Sequence, residues 1–492
     1  MPKKKTSVTV ILYCAGMLIS FVGIAQNRNP VYNEEIENRI KQVENNLSGQ
    51  VHIQDSVNTC SLQQRMKDNG IFGVSIAVVH NYRLEWARGY GMADAVTQTP
   101  VTTRTLFQAA SISKSINGIG LLKLAQDKKI DLYADINTYL TSWKFPYDTI
   151  SRGKKISVAN LLTHTAGLTV HGFSGYSKTD TLPSIIQILN GEKPANNTAV
   201  RSREEPGKRS QYSGGGITIS QLIVEDVTHQ RYDEYLWQQV LKPMGMLASS
   251  YAQPPAKDKE KILATGYRQN GKPVEGNYHI YPEEGAAGLW TNPADLAAYI
   301  VETQLSLQGN SSKVLNSEMT RLRLMPYIDS NVALGVYIMQ KGDDKYFNHN
   351  GANEGFRCVY YGSMNTGNGV VVMVNSDNGS ILEEIVNSVA TVYGWKYFFR
   401  PEVKKAVAVT TEMANAYTGR YVLAKDTIDI RFEKKPMLIV NNQEFYPIYF
   451  STEKDFFSLD LPFNLSFEKD ASGKVKDIYF KNSGKEFRAN RL

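Results

Sequence analysis

Four times in this 492-residue chain a serine is followed three residues later by a lysine: Ser111/Lys114, Ser151/Lys154, Ser451/Lys454 and Ser466/Lys469. A serine hydroxyl attacks a carbonyl only when a neighbouring base takes its proton. A lysine fills that role only if desolvation or nearby positive charge lowers its pKa. Spacing does not separate the four pairs, but context does. Ser111 alone stands at the start of a long apolar-periodic segment, behind the small-residue approach Phe107-Gln108-Ala109-Ala110. A helix N-terminus offers unpaired N–H groups and the positive end of the macrodipole, both of which favour an alkoxide or oxyanion. Residues three apart are neighbours on a helix surface, which brings the Lys114 amine within reach of the Ser111 oxygen. Either the lysine is the base or it lowers the pKa of a tyrosine that is, so the pair calls for a third partner.

The elements that must hold these residues follow from periodicity. Ile112, Ile116, Ile119, Leu122 and Leu124 mark one apolar face of a helix beginning near Ser111. Upstream, Ile36, Ile40, Val43 and Leu47 predict an amphipathic N-terminal helix over residues 33–47, and residues 73–91 read as a hairpin broken at His80-Asn81. Further helices are expected to end at Leu162 and to cover residues 217–228, 292–305 and 383–394, with an apolar strand over 370–377. From about Thr410 the composition shifts to short aromatic and β-branched strands, among them residues 427–432, 436–441 and 477–482, separated by turns such as 470–474. This is expected to be a small antiparallel β-domain. The organisation read from the chain is a signal peptide (1–25), an N-terminal helix and linker (26–55), a main domain (56–398), a linker (399–410) and the C-terminal β-domain (411–492).

Five ordered stretches carry a family resemblance: FQAASISKS (107–115), LLTHTAGL (161–168), YSGGG (212–216), AAGLWTNPADLA (286–297) and HNGANEGF (349–356). With them the chain resembles the serine β-lactamase and penicillin-binding-protein superfamily, over roughly residues 56–395 and closest to its class C-like branch of esterases and D-aminopeptidases; SxxK is an element of that superfamily. The resemblance implies an α+β, β-lactamase-like fold, a helical domain plus an antiparallel sheet flanked by helices. It implies an acyl-enzyme on Ser111 with Lys114, and places Tyr212 as the general base for acylation and the acid for the leaving group. The backbone N–H groups of Ser111 and Ala352 would form the oxyanion hole. His349 and Gly351 would fill the family's KTG position as HNG, contacting substrate. Two departures stand out: Gly214, which by its place would also contact substrate, replaces the asparagine of YxN, and His349, largely neutral near pH 7, replaces the lysine of KTG. Both remove groups that recognise the amide and carboxylate of β-lactams, and so point toward esters or acyl transfer.

His164 and His171 invite a metal or triad reading, but no acid stands at a helical spacing to complete a zinc set, and a structural role is expected for His164. The glycines of YSGGG lack the strand and spacing of a nucleotide loop. No metal and no cofactor are expected. Lys3, Lys4 and Lys5 precede an apolar run from Val8 to Ile24 that ends at Gly23 and Ala25, the layout of a cleavable secretory signal. A periplasmic or secreted location follows, with membrane contact only if that segment remains as an uncleaved anchor. Cleavage would lower the formal charge from +7 to +4 by removing three lysines and no acids, a balance too mild for a nucleic-acid partner. Cys60 and Cys358, which remain, are open to pairing or to burial as thiols. The expectation is an exported serine hydrolase taking a small-molecule acyl substrate, an ester or amide, with water, an alcohol or an amine as acceptor. The competitors are a true β-lactamase or D-amino-acid peptidase and, from another class, a non-catalytic sensor of cell-wall or other ligands.

Overall fold

The computed structural model describes residues 29–492 apart from 433, 434, 443, 460, 462, 483 and 484. The expected signal segment lies outside the described residues, and among those described no helix is long and apolar enough to cross a membrane. Asn33 caps the first helix, Glu34–Glu44, by accepting from the Ile36 N–H, and acids fill its first turn as the helix dipole favours. Its buried Ile40 and Val43 pack beside Ile385, Val386 and Val389 of the helix Ile381–Val392.

Those two helices cover one face of an eight-stranded antiparallel sheet. The hairpin Gly73–His80 and Arg83–Asp94 supplies two of its strands, and Gly73–His80 pairs with Gly369–Val374, which pairs in turn with Phe356–Ser363 and then Asp344–Asn353. The run Val370–Val374 has no polar alternation because both faces of the sheet are covered. Val371 and Met373 join the core under the helical domain, while Val370, Val372 and Val374 face the terminal helices. The helical elements of residues 101–331 are thus inserted between early and late strands of one sheet, the architecture the resemblance implies.

The helix after Ser111 departs from the expected amphipathic pattern. It spans Ser113–Gln126, preceded by a 3-10 turn over Ala110–Ile112, and from Ser113 through Leu122 every residue is buried. Its polar side chains are satisfied inside the core, as burial demands. Ser113 Oγ accepts from Leu289 N–H, Asn117 donates to Ser220 and accepts from the Tyr232 hydroxyl, and Ser115 bonds the Tyr360 hydroxyl.

The C-terminal strands close into an eight-stranded antiparallel barrel, Gly419–Leu423 pairing with both Asp426–Phe432 and Lys485–Arg491. Closure removes the exposed edges of a free sheet. Residues of the expected linker do not run free. Glu402–Lys404 pairs in parallel with Val51–Ile53, and Val407 bridges Phe450 of the barrel. Cys60 and Cys358 are both free thiols, Cys60 half-buried and Cys358 buried.

Candidate active site

The 3-10 turn that carries Ser111 begins at Ala110, a non-glycine residue at φ +48°. A left-handed conformation costs an L-residue about 1–2 kcal/mol, here spent on aiming Ser111 into a cleft of about 730 Å³. The strand Asp344–Asn353 closes on this turn at Gly351. A Cβ there would lie 2.4 Å from the Ala109 carbonyl oxygen and 2.6 Å from Cys358 Sγ, so only glycine lets the strand approach so closely.

Lys114 Nζ lies 3.0 Å from Ser111 Oγ and donates to the Ala286 carbonyl at 2.6 Å. The Tyr212 hydroxyl donates to the same Ser111 oxygen at 2.8 Å. Burial without a counter-carboxylate brings the Lys114 pKa down to about 7. Burial also raises the Tyr212 pKa to about 12, opposed by its hydrogen bond to Ser111. At neutral pH Lys114 is therefore partly unprotonated, with a lone pair available beside the Ser111 hydroxyl, and Tyr212 keeps its proton.

Tyr212 is held by its neighbours on both sides. Gln211 N–H donates to the His164 carbonyl, Ser213 N–H to His164 Nδ1, Gly214 N–H to the His171 carbonyl and Gly215 N–H to the Val170 carbonyl. Ser213 also caps the helix Gly214–Thr228. The LLTHTAGL stretch thus acts as the seat for the tyrosine loop. His164 is buried, accepts through Nδ1 and packs against the Tyr212 ring at 4.3 Å; burial, with Lys114 nearby, holds its pKa well below the usual histidine range. His171 packs on the same ring at 4.9 Å and lines the cleft.

Gly351 and Ala352 also line the cleft. Asn353 pairs with Phe356 across a two-residue turn, so the next pair outward, Ala352 with Arg357, is of the kind that exchanges no ladder hydrogen bonds. The Ala352 N–H therefore faces away from the neighbouring strand. The Ser111 N–H sits in the opening turn of its helix, where backbone donors lack intrahelical acceptors.

Two expected contacts are placed differently. His349 is buried behind the wall, its ring 6.5 Å from that of Tyr212 and 5.2 Å from that of Tyr337. Its Nδ1 donates to the Asn350 carbonyl at 2.6 Å, and burial, reinforced by Lys114, lowers its pKa to about 3. It is a neutral backing group and is not among the residues that line the cleft. Gly214 is also off the wall: a Cβ there would meet Phe173 at 3.0 Å and the His171 carbonyl at 3.1 Å. Phe173 lines the cleft where the sequence alone suggested an empty asparagine position.

Sequence reasoning missed Phe173, Tyr337, Arg357 and the Ala286 carbonyl. The last lies within a recognised motif, but a backbone acceptor leaves no mark in residue type. Among the described residues no three metal-ligating side chains cluster.

Comparison with known proteins identifies the family and the fold. A family model described as Beta-lactamase matches residues 61–385. Protein flp of Staphylococcus aureus (strain N315) is 24% identical over 326 residues, covering 64% of this chain and 61% of that protein. The chain thus spans about three fifths of the length of such relatives. A beta-lactamase of Providencia stuartii is 29% identical over 235 residues, 48% of this chain and 56% of that one. Among solved structures, the octameric penicillin-binding protein homologue from Pyrococcus abyssi superposes with a TM-score of 0.61 at 18% identity, covering 87% of this chain and 98% of that one, a likeness of fold.

Proposed function

The chain belongs to the Beta-lactamase family, and from that premise we propose that it is an exported serine hydrolase forming an acyl-enzyme on Ser111, with esters as donors or with transfer of the acyl group to an alcohol or amine. The observation that carries this reading is the convergence of Lys114 Nζ and the Tyr212 hydroxyl on one oxygen, at 3.0 and 2.8 Å. A binding module has no use for that arrangement, which weighs against a non-catalytic sensor.

In acylation, unprotonated Lys114 takes the Ser111 proton as Oγ attacks the carbonyl carbon. The negative charge that gathers on the carbonyl oxygen is met by the N–H groups of Ser111 and Ala352, donors fixed before the reaction begins. Tyr212 gives its proton to the leaving oxygen or nitrogen, and Lys114, now charged, restores it. Water or another acceptor then enters from the side the leaving group vacated, and the protons retrace the route. The resemblance assigned the acylation base to Tyr212. The electrostatics favour Lys114 instead, because burial weakens the proton affinity of an amine and strengthens that of a phenol.

Phe173 in place of an amide-holding side chain and a neutral His349 support esters over β-lactams. The basic start and apolar run of residues 3–24 support export. The test is the time course with p-nitrophenyl acetate. A burst followed by steady turnover in the wild type, both lost in Ser111→Ala, is the expected result. Equal turnover in the two proteins overturns the assignment, and cephalosporin turnover matching ester turnover moves it to a true β-lactamase.

A further inference from the structure

We infer that the surface flanking the cleft beside Tyr337 docks on a bilayer carrying anionic lipids, with Met325 and Ile328 entering the headgroup region and Lys154, Lys208 and Arg209 meeting the phosphates. The inference goes beyond the hydrolase reading and concerns where the protein works, whatever acyl group it takes.

The apolar half of this surface is the loop over residues 324–331. It leaves the helix Ser317–Arg323 and returns to Val332, which pairs with the cleft-lining Tyr337. Met325 is 61% and Ile328 51% exposed, and the exposed Tyr133 places its ring 6.3 Å from that of Tyr327. A lone exposed aliphatic side chain is ordinary, but neighbouring ones rimmed by charge mark a contact surface. Ile328 is also held at φ +67°, a left-handed conformation that β-branched residues scarcely adopt. The chain thus bears strain to keep an isoleucine in water, and strain of that kind gathers at functional surfaces.

The basic half adjoins it. Ile328 Cδ1 lies 4.0 Å from where a Gly207 Cβ would stand, which brings in the loop that ends at Tyr212. On that loop Lys208 and Arg209 share Glu204, while Arg152 and Lys154, on the neighbouring segment, share Glu205. All four cations are well exposed and both acids are largely covered, so two positive charges stand in excess toward solvent. Arg203 is exposed on the same loop, and Ile150, exposed beside Arg152, adds an apolar side chain among the cations. The acid of the apolar loop, Asp329, serves its own turn by accepting from the Asn331 N–H.

Cations alone would suit any polyanion. Aliphatic side chains set among them fit a surface whose anionic layer overlies hydrocarbon, which is how interfacial segments hold a membrane.

The test is co-sedimentation of the purified protein with phosphatidylcholine vesicles, with and without phosphatidylglycerol. Binding to the anionic vesicles alone is expected, weakening as salt rises. The triple variant Lys154→Gln, Lys208→Gln, Arg209→Gln should lower the partition coefficient about a hundredfold, at about fivefold for each cation removed. The double variant Met325→Ser, Ile328→Ser should lower it about tenfold or more. Circular dichroism checks that both variants are folded, so the outcome stands whether or not the protein hydrolyses esters. Equal binding to neutral vesicles, or no binding at all, overturns the inference. Loss of binding in the charge variant with none in the aliphatic one marks a site for soluble polyanions and overturns the lipid assignment, as does the reverse pattern.

Discussion

Around Ser111 the cleft is lined by a lysine and a tyrosine and backed by the imidazoles of His164 and His349, whereas the C-terminal barrel fills its interior with stacked rings. Tyr417 and Phe467 lie 4.1 Å apart and nearly parallel, with Phe450 and Phe456 against them. The barrel's buried carboxylates Asp429 and Asp477 are paired with arginines: Arg420 and Arg431 flank Asp429, Arg488 meets Asp477, and Arg420 foremost holds the Asp429 carboxyl below its usual range. Burial in the first region moves proton affinities. In the second it supplies cohesion. A substitution beside Ser111 therefore acts on chemistry, and one inside the barrel on stability.

Lys114→Met is expected to have the largest effect. Removing the base lowers turnover by about 10⁴-fold, the upper end for such groups. It also changes stability in a defined direction. The folded pKa of about 7 lies below the ordinary 10.5, so between those pH values the unfolded chain binds the extra proton and wild-type stability rises with pH. Urea midpoints measured from pH 7 to 10 should climb in the wild type and lose that slope in the variant.

In the barrel, Phe467→Ala should cost about 3–5 kcal/mol of stability through the cavity left in the ring stack. Ester turnover per folded molecule should not change, and a fall in kcat at temperatures where the variant is folded would tie the barrel to the chemistry. Tyr212→Phe keeps the ring between its imidazoles and removes only the proton. A drop of about 10²-fold in kcat, smaller for esters with good leaving groups such as p-nitrophenol, checks its part as the acid. The smallest effect is expected at Gly214. Gly214→Asn should destabilise by about 1–3 kcal/mol through overpacking against Phe173, without creating β-lactam turnover. Adding Phe173→Ala should relieve part of that cost, a coupling that a double-mutant cycle reads directly.

What the residues disclosed in advance was local or ordered. Ser111 and Lys114 were legible from spacing plus a helix start, Tyr212 and Gly351 from the order of motifs, and three of the sheet's eight strands from the hairpin pattern of 73–91 and the apolar run of 370–377. The α+β architecture with a C-terminal β-domain was legible in the same way. What stayed hidden depends on which distant segments meet. Nothing in YSGGG says that Phe173 fills the space beside Gly214, and nothing in HNG says that His349 turns behind the wall. That Ser113 and Asn117 are buried was hidden because their partners, Leu289, Ser220 and Tyr232, lie far along the chain. Glu402–Lys404 read as linker because its partner strand, Val51–Ile53, is some 350 residues upstream.

Ser111 is made nucleophilic by a lysine that burial leaves partly unprotonated near neutrality. The rate at which a fluorophosphonate labels the protein, followed by intact mass and peptide mapping across pH 5 to 10, addresses it most directly. One adduct is expected, on the peptide containing Ser111, with a rate that rises through a single limb near pH 7 and then levels. Equal labelling of Ser111→Ala, or a rate without that limb, would contradict it.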